Sequence, residues 1–259
     1  MPEESGQADA KACYIYGIVP ADVELDSGVE GVGDPPGEVR LVQHGEIAAL
    51  VSEIDVSRPL GRPEDLMAHQ QLVDLTAQEV PVLPLRFGAV VANDEAVTEE
   101  LLGPHQDEFT AALRELEGRA QFVIKGRYVQ DAVLNEVLSE NEEARQLRDE
   151  IRSVGNEDAT RDARIRLGEL INQAISAKRD TDTRQLGEVI EGHCVSSNVR
   201  DPSHEEDAVH VAVLVDTDRQ QELEQALEQL AGDWEGRVTL RLLGPMAAYD
   251  FIATMAPAG

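Results

Sequence analysis

The stretch Gln121–Ile151, QFVIKGRYVQDAVLNEVLSENEEARQLRDEI, decides the fold class. Its first nine residues, Gln121–Val129, are rich in β-branched and aromatic side chains and predict a strand. From Val133 the pattern changes. Val133, Val137, Ala144, Leu147 and Ile151 recur in steps of three and four, with one gap at Glu140. That spacing lays a single apolar seam along a helix, of the coiled-coil kind. Past a turn expected at Ser153–Asp158, around Gly155-Asn156, the seam resumes with Leu167, Leu170, Ala174, Leu186 and Val189. Arg and Glu/Asp interleave outside the seam, as on a solvated face. The economical reading is an antiparallel helical hairpin over about 131–190, interrupted near Thr181–Thr183.

Working toward the C-terminus, His193–Val199 and Val209–Val215 predict two strands joined by the polar loop Asp201–Asp207. Asp216-Thr217-Asp218 then opens a helix with Leu223, Ala226, Leu227 and Leu230 on its apolar side, ended by Gly232. Val238–Leu243 is a last strand before Gly244-Pro245. The order is β, helical hairpin, β, β, α, β. With the hairpin as an enlarged first helix, this is the ferredoxin-like plan.

Working toward the N-terminus, Gly118 marks a domain boundary. Residues 1–12 read as a polar tail, and Cys13–Val19 as a strand ended by Pro20. Ala21–Glu38, rich in Gly, Asp and Pro, predicts a long acidic loop. Val39–Gln43 and Ile47–Ile54 form a hairpin about His44-Gly45-Glu46, with Gly45 at positive φ. Glu64–Glu79 predicts a helix burying Leu66, Val73, Ala77 and Val80. Val82–Val91 predicts a strand whose prolines suit an edge. Two more helices follow. One is capped by Asn93 or Asp94, with Val97, Leu101 and Leu102 inward; the other, His105–Glu117, buries Phe109, Ala112, Leu113 and Leu116. The expectation is an α+β protein of two domains, 13–118 and 119–259, the first a rearranged relative of the second.

Charge is the strongest global property. Lys and Arg number 22 against 51 Asp and Glu, a formal net charge of −29. Such a surface repels phosphate backbones and anionic lipid, and no basic block offsets it, so neither nucleic acid nor a lipid membrane is an expected partner. Aromatic residues make up 3% of the chain, which leaves few rings for stacking on bases. No apolar run approaches the roughly 18 residues needed to span a bilayer, and the first ten residues are polar. The expected location is the cytoplasm, with Cys13 and Cys194 reduced and packed as small apolar residues.

Catalytic and cofactor motifs are missing. The six histidines form no His-Glu-x-x-His, and Cys-x-x-Cys, Gly-x-Ser-x-Gly and Gly-Lys-Ser/Thr are all absent. His193 and Cys194, adjacent on an expected strand, point to opposite faces and cannot easily share an ion. His204-Glu205-Glu206-Asp207 reads as a solvated acidic loop. No catalytic, cofactor or metal residue is assigned. Arg86 stands out within an apolar strand, where a buried guanidinium requires either an internal carboxylate or a partner.

Three stretches resemble the gas vesicle protein L/F family: Tyr14-Ile15-Tyr16-Gly17-Ile18-Val19, Val82-Leu83-Pro84-Leu85-Arg86-Phe87-Gly88 after a helix containing His69, and Gly244-Pro245 followed by Tyr249 and Phe251. The resemblance spans nearly the whole chain in order. It departs at Met246-Ala247-Ala248, where the family usually carries Trp-Pro-Pro. The resemblance implies a modified ferredoxin-like first domain and a second domain with a coiled coil. It implies an assembly factor, a minor vesicle component that binds the small hydrophobic shell protein and limits its aggregation during nucleation. The implied partners are the shell protein and other accessory proteins. On the same ground Pro84, Leu85, Arg86, Phe87, Gly88, Gly244, Pro245 and Tyr249 are candidate partner-binding residues. The rival reading is a small-molecule-binding regulatory module, since ferredoxin-like sheets often host ligands.

Overall fold

The structure, a computed structural model, describes residues 11–25, 28–154 and 159–252. The turn expected around Gly155-Asn156 lies outside them. The chain divides into two units. One runs to Gln121 and takes in the stretch from Gly244; the other is Phe122–Leu243. The sequence reading placed everything from 119 to 259 in the second domain. The residues after Gly244 belong with the first because Ala247 is buried in that unit's core.

In the first unit β1 (Lys11–Pro20) precedes a small hairpin, β2 (Glu30–Gly33) and β3 (Pro36–Glu38), then β4 (Arg40–His44) and β5 (Ile47–Asp55). Helix α1 (Pro63–Glu79) leads to two-residue strands β6 (Leu83–Pro84) and β7 (Val90–Val91). Helix α2 (Asp94–Ala96) continues as a π-helical turn, Val97–Leu102, before α3 (Gln106–Leu116). The sheet order is β4-β5-β1-β6, with β7 also on β1. The β4–β5 turn has Gly45 at φ 60°, and Asn93 accepts from the Ala96 N–H as a helix cap.

Cys13–Val19 of β1 and Ile47–Ser52 of β5 are buried without a break. A strand covered on both faces must be apolar throughout, which is why CYIYGIV reads as a continuous run. Gly17 has a separate cause. A Cβ there would sit 2.8 Å from the Leu83 carbonyl oxygen, so only glycine lets β6 pair at this point.

Two expectations fail here, and a third holds only in part. The Ala21–Glu38 loop contains the β2–β3 hairpin, tied down by the Val32 N–H donating to the Tyr16 hydroxyl (2.6 Å). Val82–Val91 is not one strand, because residues 85–89 leave the sheet between β6 and β7. Helix α1 keeps Val73, Ala77 and Val80 on the core as predicted, but Leu66 is 51% exposed, and Asp65, His69 and Leu72 are buried instead. Two polar residues with partners replace apolar ones inside.

The second unit's sheet has the order β11-β8-β10-β9, built from β8 (Arg119–Tyr128), β9 (Ser196–Val199), β10 (Asp207–Asp216) and β11 (Val238–Met246). Between β8 and β9 lie three helices, α4 (Gln130–Glu140), α5 (Glu142–Val154) and α6 (Arg161–Ile190). The gap in the seam at Glu140 is where α4 ends. The interruption expected at Thr181–Thr183 does not occur, and α6 runs unbroken for 30 residues. Asp182 occupies a buried seam position there and finds partners, so the polar stretch interrupts the pattern without interrupting the helix. Helix α7 (Gln220–Asp233) buries Leu223, Leu227 and Leu230 before Trp234.

Candidate functional site

The first unit's three sequence-distant stretches meet at one imidazole. His69, 2% exposed on α1, lies 2.9 Å through Nδ1 from the Tyr14 hydroxyl of β1. Its Nε2 is 3.1 Å from the Leu85 carbonyl oxygen and 3.1 Å from the Tyr249 hydroxyl. The Gly88 N–H donates to Tyr14 Oη (3.1 Å), which leaves that hydroxyl's proton for His69 Nδ1. The imidazole is then neutral, with its proton on Nε2 facing Leu85 and Tyr249. Burial pulls the His69 pKa below its ordinary value, in keeping with that assignment. Burial likewise pushes the Tyr14 and Tyr249 phenols above their usual range. Phe87 closes the cluster edge-on to His69, ring centroids 5.7 Å apart, and Tyr16 stacks on the imidazole at 5.6 Å.

This junction fastens the turn after β6 from two sides. Leu85 donates its N–H to the Tyr16 carbonyl (2.9 Å) and accepts from His69. Gly88, at φ 92°, turns the chain back so that Ala89 can accept from the Ile15 N–H. Between these anchors Arg86 is exposed and makes no hydrogen bond or ion pair with the described residues. The internal salt bridge considered for Arg86 is therefore absent among the described residues, and its position is not a strand. Pro84 is buried against Gly17. Gly244 and Pro245 are exposed at the end of β11, joined by a cis peptide. Of the candidate residues, Leu85, Phe87, Gly88 and Tyr249 converge on His69.

Comparisons with known proteins place the chain in a family. Residues 12–253 match the family described as gas vesicle synthesis protein GvpL/GvpF. The chain belongs to the GvpL/GvpF family. Gas vesicle protein F of Streptomyces sp. (strain CB03234) is 31% identical, over 92% of this chain and 98% of the relative. Gas vesicle protein L of the same strain is 27% identical, over 92% and 91%. The crystal structure of GvpF from Anabaena sp. PCC7120 superposes with TM-score 0.75 at 22% identity, covering 93% of this chain and 98% of that one. Membership in the GvpL/GvpF family places the chain in gas vesicle formation.

The stretch Met246-Ala247-Ala248 is held to α1 by its backbone. The Ala247 N–H donates to an Asp74 carboxylate oxygen on α1 (2.9 Å), a bond that a proline in that place would lack. Ala247 and Ala248 are both buried.

A second network holds the other unit, and it is built from charge. The Tyr128 hydroxyl donates to Asp182 Oδ2 (2.6 Å), and Arg237 forks onto both Asp182 oxygens at 2.9 and 3.0 Å. Arg237 Nε donates to Glu136 (2.9 Å), and Lys178 bridges Glu136 and Glu140 at 2.7 Å each. Burial favours the neutral Glu136 carboxyl, but the bonds from Lys178 and Arg237 prevail and hold it below the ordinary range.

Among the described residues no group of three or more His, Cys, Asp or Glu side chains is placed to hold an ion. Cys13 is buried, and burial pushes its thiol up to about 11, far from the thiolate a reactive cysteine needs. No helix among the described residues is long and apolar enough to cross a membrane.

Sequence reasoning missed Tyr14 and His69 as the centre of the site. His69 was noted only in the helix that precedes one of the resembling stretches, and as a lone polar residue on that helix it gave no periodic signal. Its partners lie 55, 16 and 180 positions away.

Proposed function

We propose that this chain is a gas vesicle assembly accessory protein, a minor vesicle component that binds the small hydrophobic shell protein and limits its aggregation during nucleation. The observation that carries the reading is Arg86. In a chain of net charge −29, an exposed arginine with no carboxylate partner among the described residues, held up by a turn that His69 and Tyr14 fasten, is available to an external one. A shell subunit must present apolar surface and sheet edges in order to polymerise, and such surfaces aggregate when free. Docking against the turn at residues 85–88 covers part of that surface, while the acidic exterior keeps the complex dispersed. Strand addition at the Pro84 edge is disfavoured. β6 has two residues, both buried, and proline offers no N–H.

The architecture that supports this role is two ferredoxin-like units. The order β11-β8-β10-β9, with the chain running β, α, β, β, α, β, supports that reading for the second unit; the first is a modified relative. The helices α5 and α6, carrying the three-and-four seam, are read as an antiparallel coiled-coil hairpin. The chain works from the cytoplasm at the vesicle, with the shell protein and other accessory proteins as partners, and no chemical step is assigned to it.

The test is capture from a vesicle-forming host. A tagged chain should co-purify with the shell protein, and Arg86→Ala should lose the capture while melting as the parent does. Capture that Arg86→Ala leaves intact removes the turn from the interface. No capture by the parent chain overturns the reading.

A further inference from the structure

A groove of about 1120 Å³ lies in the first unit, away from the His69 junction. Its walls come from the second half of α1, from α3 and from the stretch after β1. Leu25, Val29, Leu72, Leu75 and Leu113 supply apolar lining, and Leu75 remains 53% exposed. The acidic lining is one-sided. Asp22, Glu24, Glu46, Glu79 and Glu117 face a single cation, Arg114, whose guanidinium is already 3.4 Å from Glu46. The space exceeds the roughly 300–1,000 Å³ of small-molecule pockets. Its rim chemistry asks for cations.

The backbone of the groove decides the form of the occupant. Pro20 and Pro81 have no N–H to give. The N–H groups of Ala21, Val23 and Val80 are spent on the carbonyls of Glu46, Pro20 and Thr76. An extended peptide would find no ladder of donors along these lining residues, whereas a helix brings its own backbone satisfied. We propose that this groove docks an amphipathic helix of a partner polypeptide, its apolar face on Leu75 and its Lys or Arg flanks against the acidic rim. The inference stands apart from the shell-protein reading, because it concerns a different surface and fixes the occupant by chemistry alone.

The test uses a synthetic helix of about five turns with Leu at i, i+3, i+4 and i+7 and Lys elsewhere, alongside a counterpart with Glu for Lys. Fluorescence anisotropy on the full chain should show saturable binding of the Lys probe and none of the Glu probe. The discriminating variant is Leu75→Glu, which adds negative charge while removing the apolar anchor. The groove account expects it to weaken the Lys probe about fivefold or more, because Leu75 is 53% exposed and burying the remaining half of a Leu is worth about 1 kcal/mol. A smaller loss, no change or a tightening would mean that the probe merely follows the acidic surface, and overturns the proposal. Should Leu75→Glu melt earlier than the parent, the pair Glu79→Gln with Glu117→Gln takes its place, where weaker binding with a shallower salt dependence supports the groove and unchanged binding sinks it. Shell-protein capture measured on Leu75→Glu keeps the two readings separate, since loss of the probe site with capture retained fails neither.

Discussion

Both units fasten distant segments through a tyrosine hydroxyl, yet they do so with opposite electrostatics. In the first, Tyr14 meets a neutral imidazole, and every partner around His69 is a hydroxyl, a carbonyl or a ring. In the second, Tyr128 meets a carboxylate already forked by Arg237, inside a chain of alternating charges that ends at Glu140. A neutral junction is fragile to protonation and indifferent to salt. A charged one tolerates the whole neutral pH range but suffers badly when one member is lost. The difference teaches where each junction tolerates change, and the junction beneath the exposed Arg86 is the one that carries no formal charge.

Removing one member of the charged network should cost most. Arg237→Met leaves Asp182, 5% exposed, as an uncompensated buried carboxylate, and chemical denaturation should register a loss of about 3–5 kcal/mol. A loss under about 1 kcal/mol would show that water reaches Asp182 and that the network is a surface feature. The neutral junction should answer more mildly. Tyr14→Phe strands the Gly88 N–H and His69 Nδ1, for an expected cost of about 1–3 kcal/mol in the same measurement.

Titration sharpens the contrast. The His69 pKa is depressed in the folded chain, so the unfolded chain binds a proton first as pH falls. Its contribution is fully present above the unfolded value of about 6.5 and is lost as pH drops through the folded value. Between about pH 7.5 and 5.5, above the carboxylate range, the parent's melting temperature should fall, and His69→Gln should flatten that slope. Arg237→Met should leave the slope as it was. Smallest of all is Arg86→Ala, expected to change stability by no more than about 0.5 kcal/mol because the side chain is exposed. Its effect should appear in partner capture alone.

How much of this was legible depended on whether the signal was periodic. The seam from Val133 to Ile151 and the alternation of strands and helices were readable because apolar side chains repeat at the pitch of their element. The Gly45 turn and the Asn93 cap were readable because local backbone chemistry selects those residues. The polar members of the buried face of α1 were not. Asp65 and His69 are polar, and only their partners (the Gly61 and Arg62 N–H groups for Asp65, Tyr14 and Leu85 for His69) make burial affordable. The same blindness turned Asp182 into an expected break in α6. Arg86 was noticed for a sound reason, its apolar neighbours, but those neighbours pack beneath a turn and leave the guanidinium outside. Long-range polar pairing leaves no trace at short sequence separation, so the site's centre had to come from the fold.

The central claim is that this chain keeps shell protein dispersed by touching it, and light scattering tests it most directly. Purified shell subunit diluted into buffer should scatter strongly alone and progressively less as the chain is titrated in, with Arg86→Ala failing to suppress the rise. Scattering that stays undiminished across the full range of ratios contradicts the account.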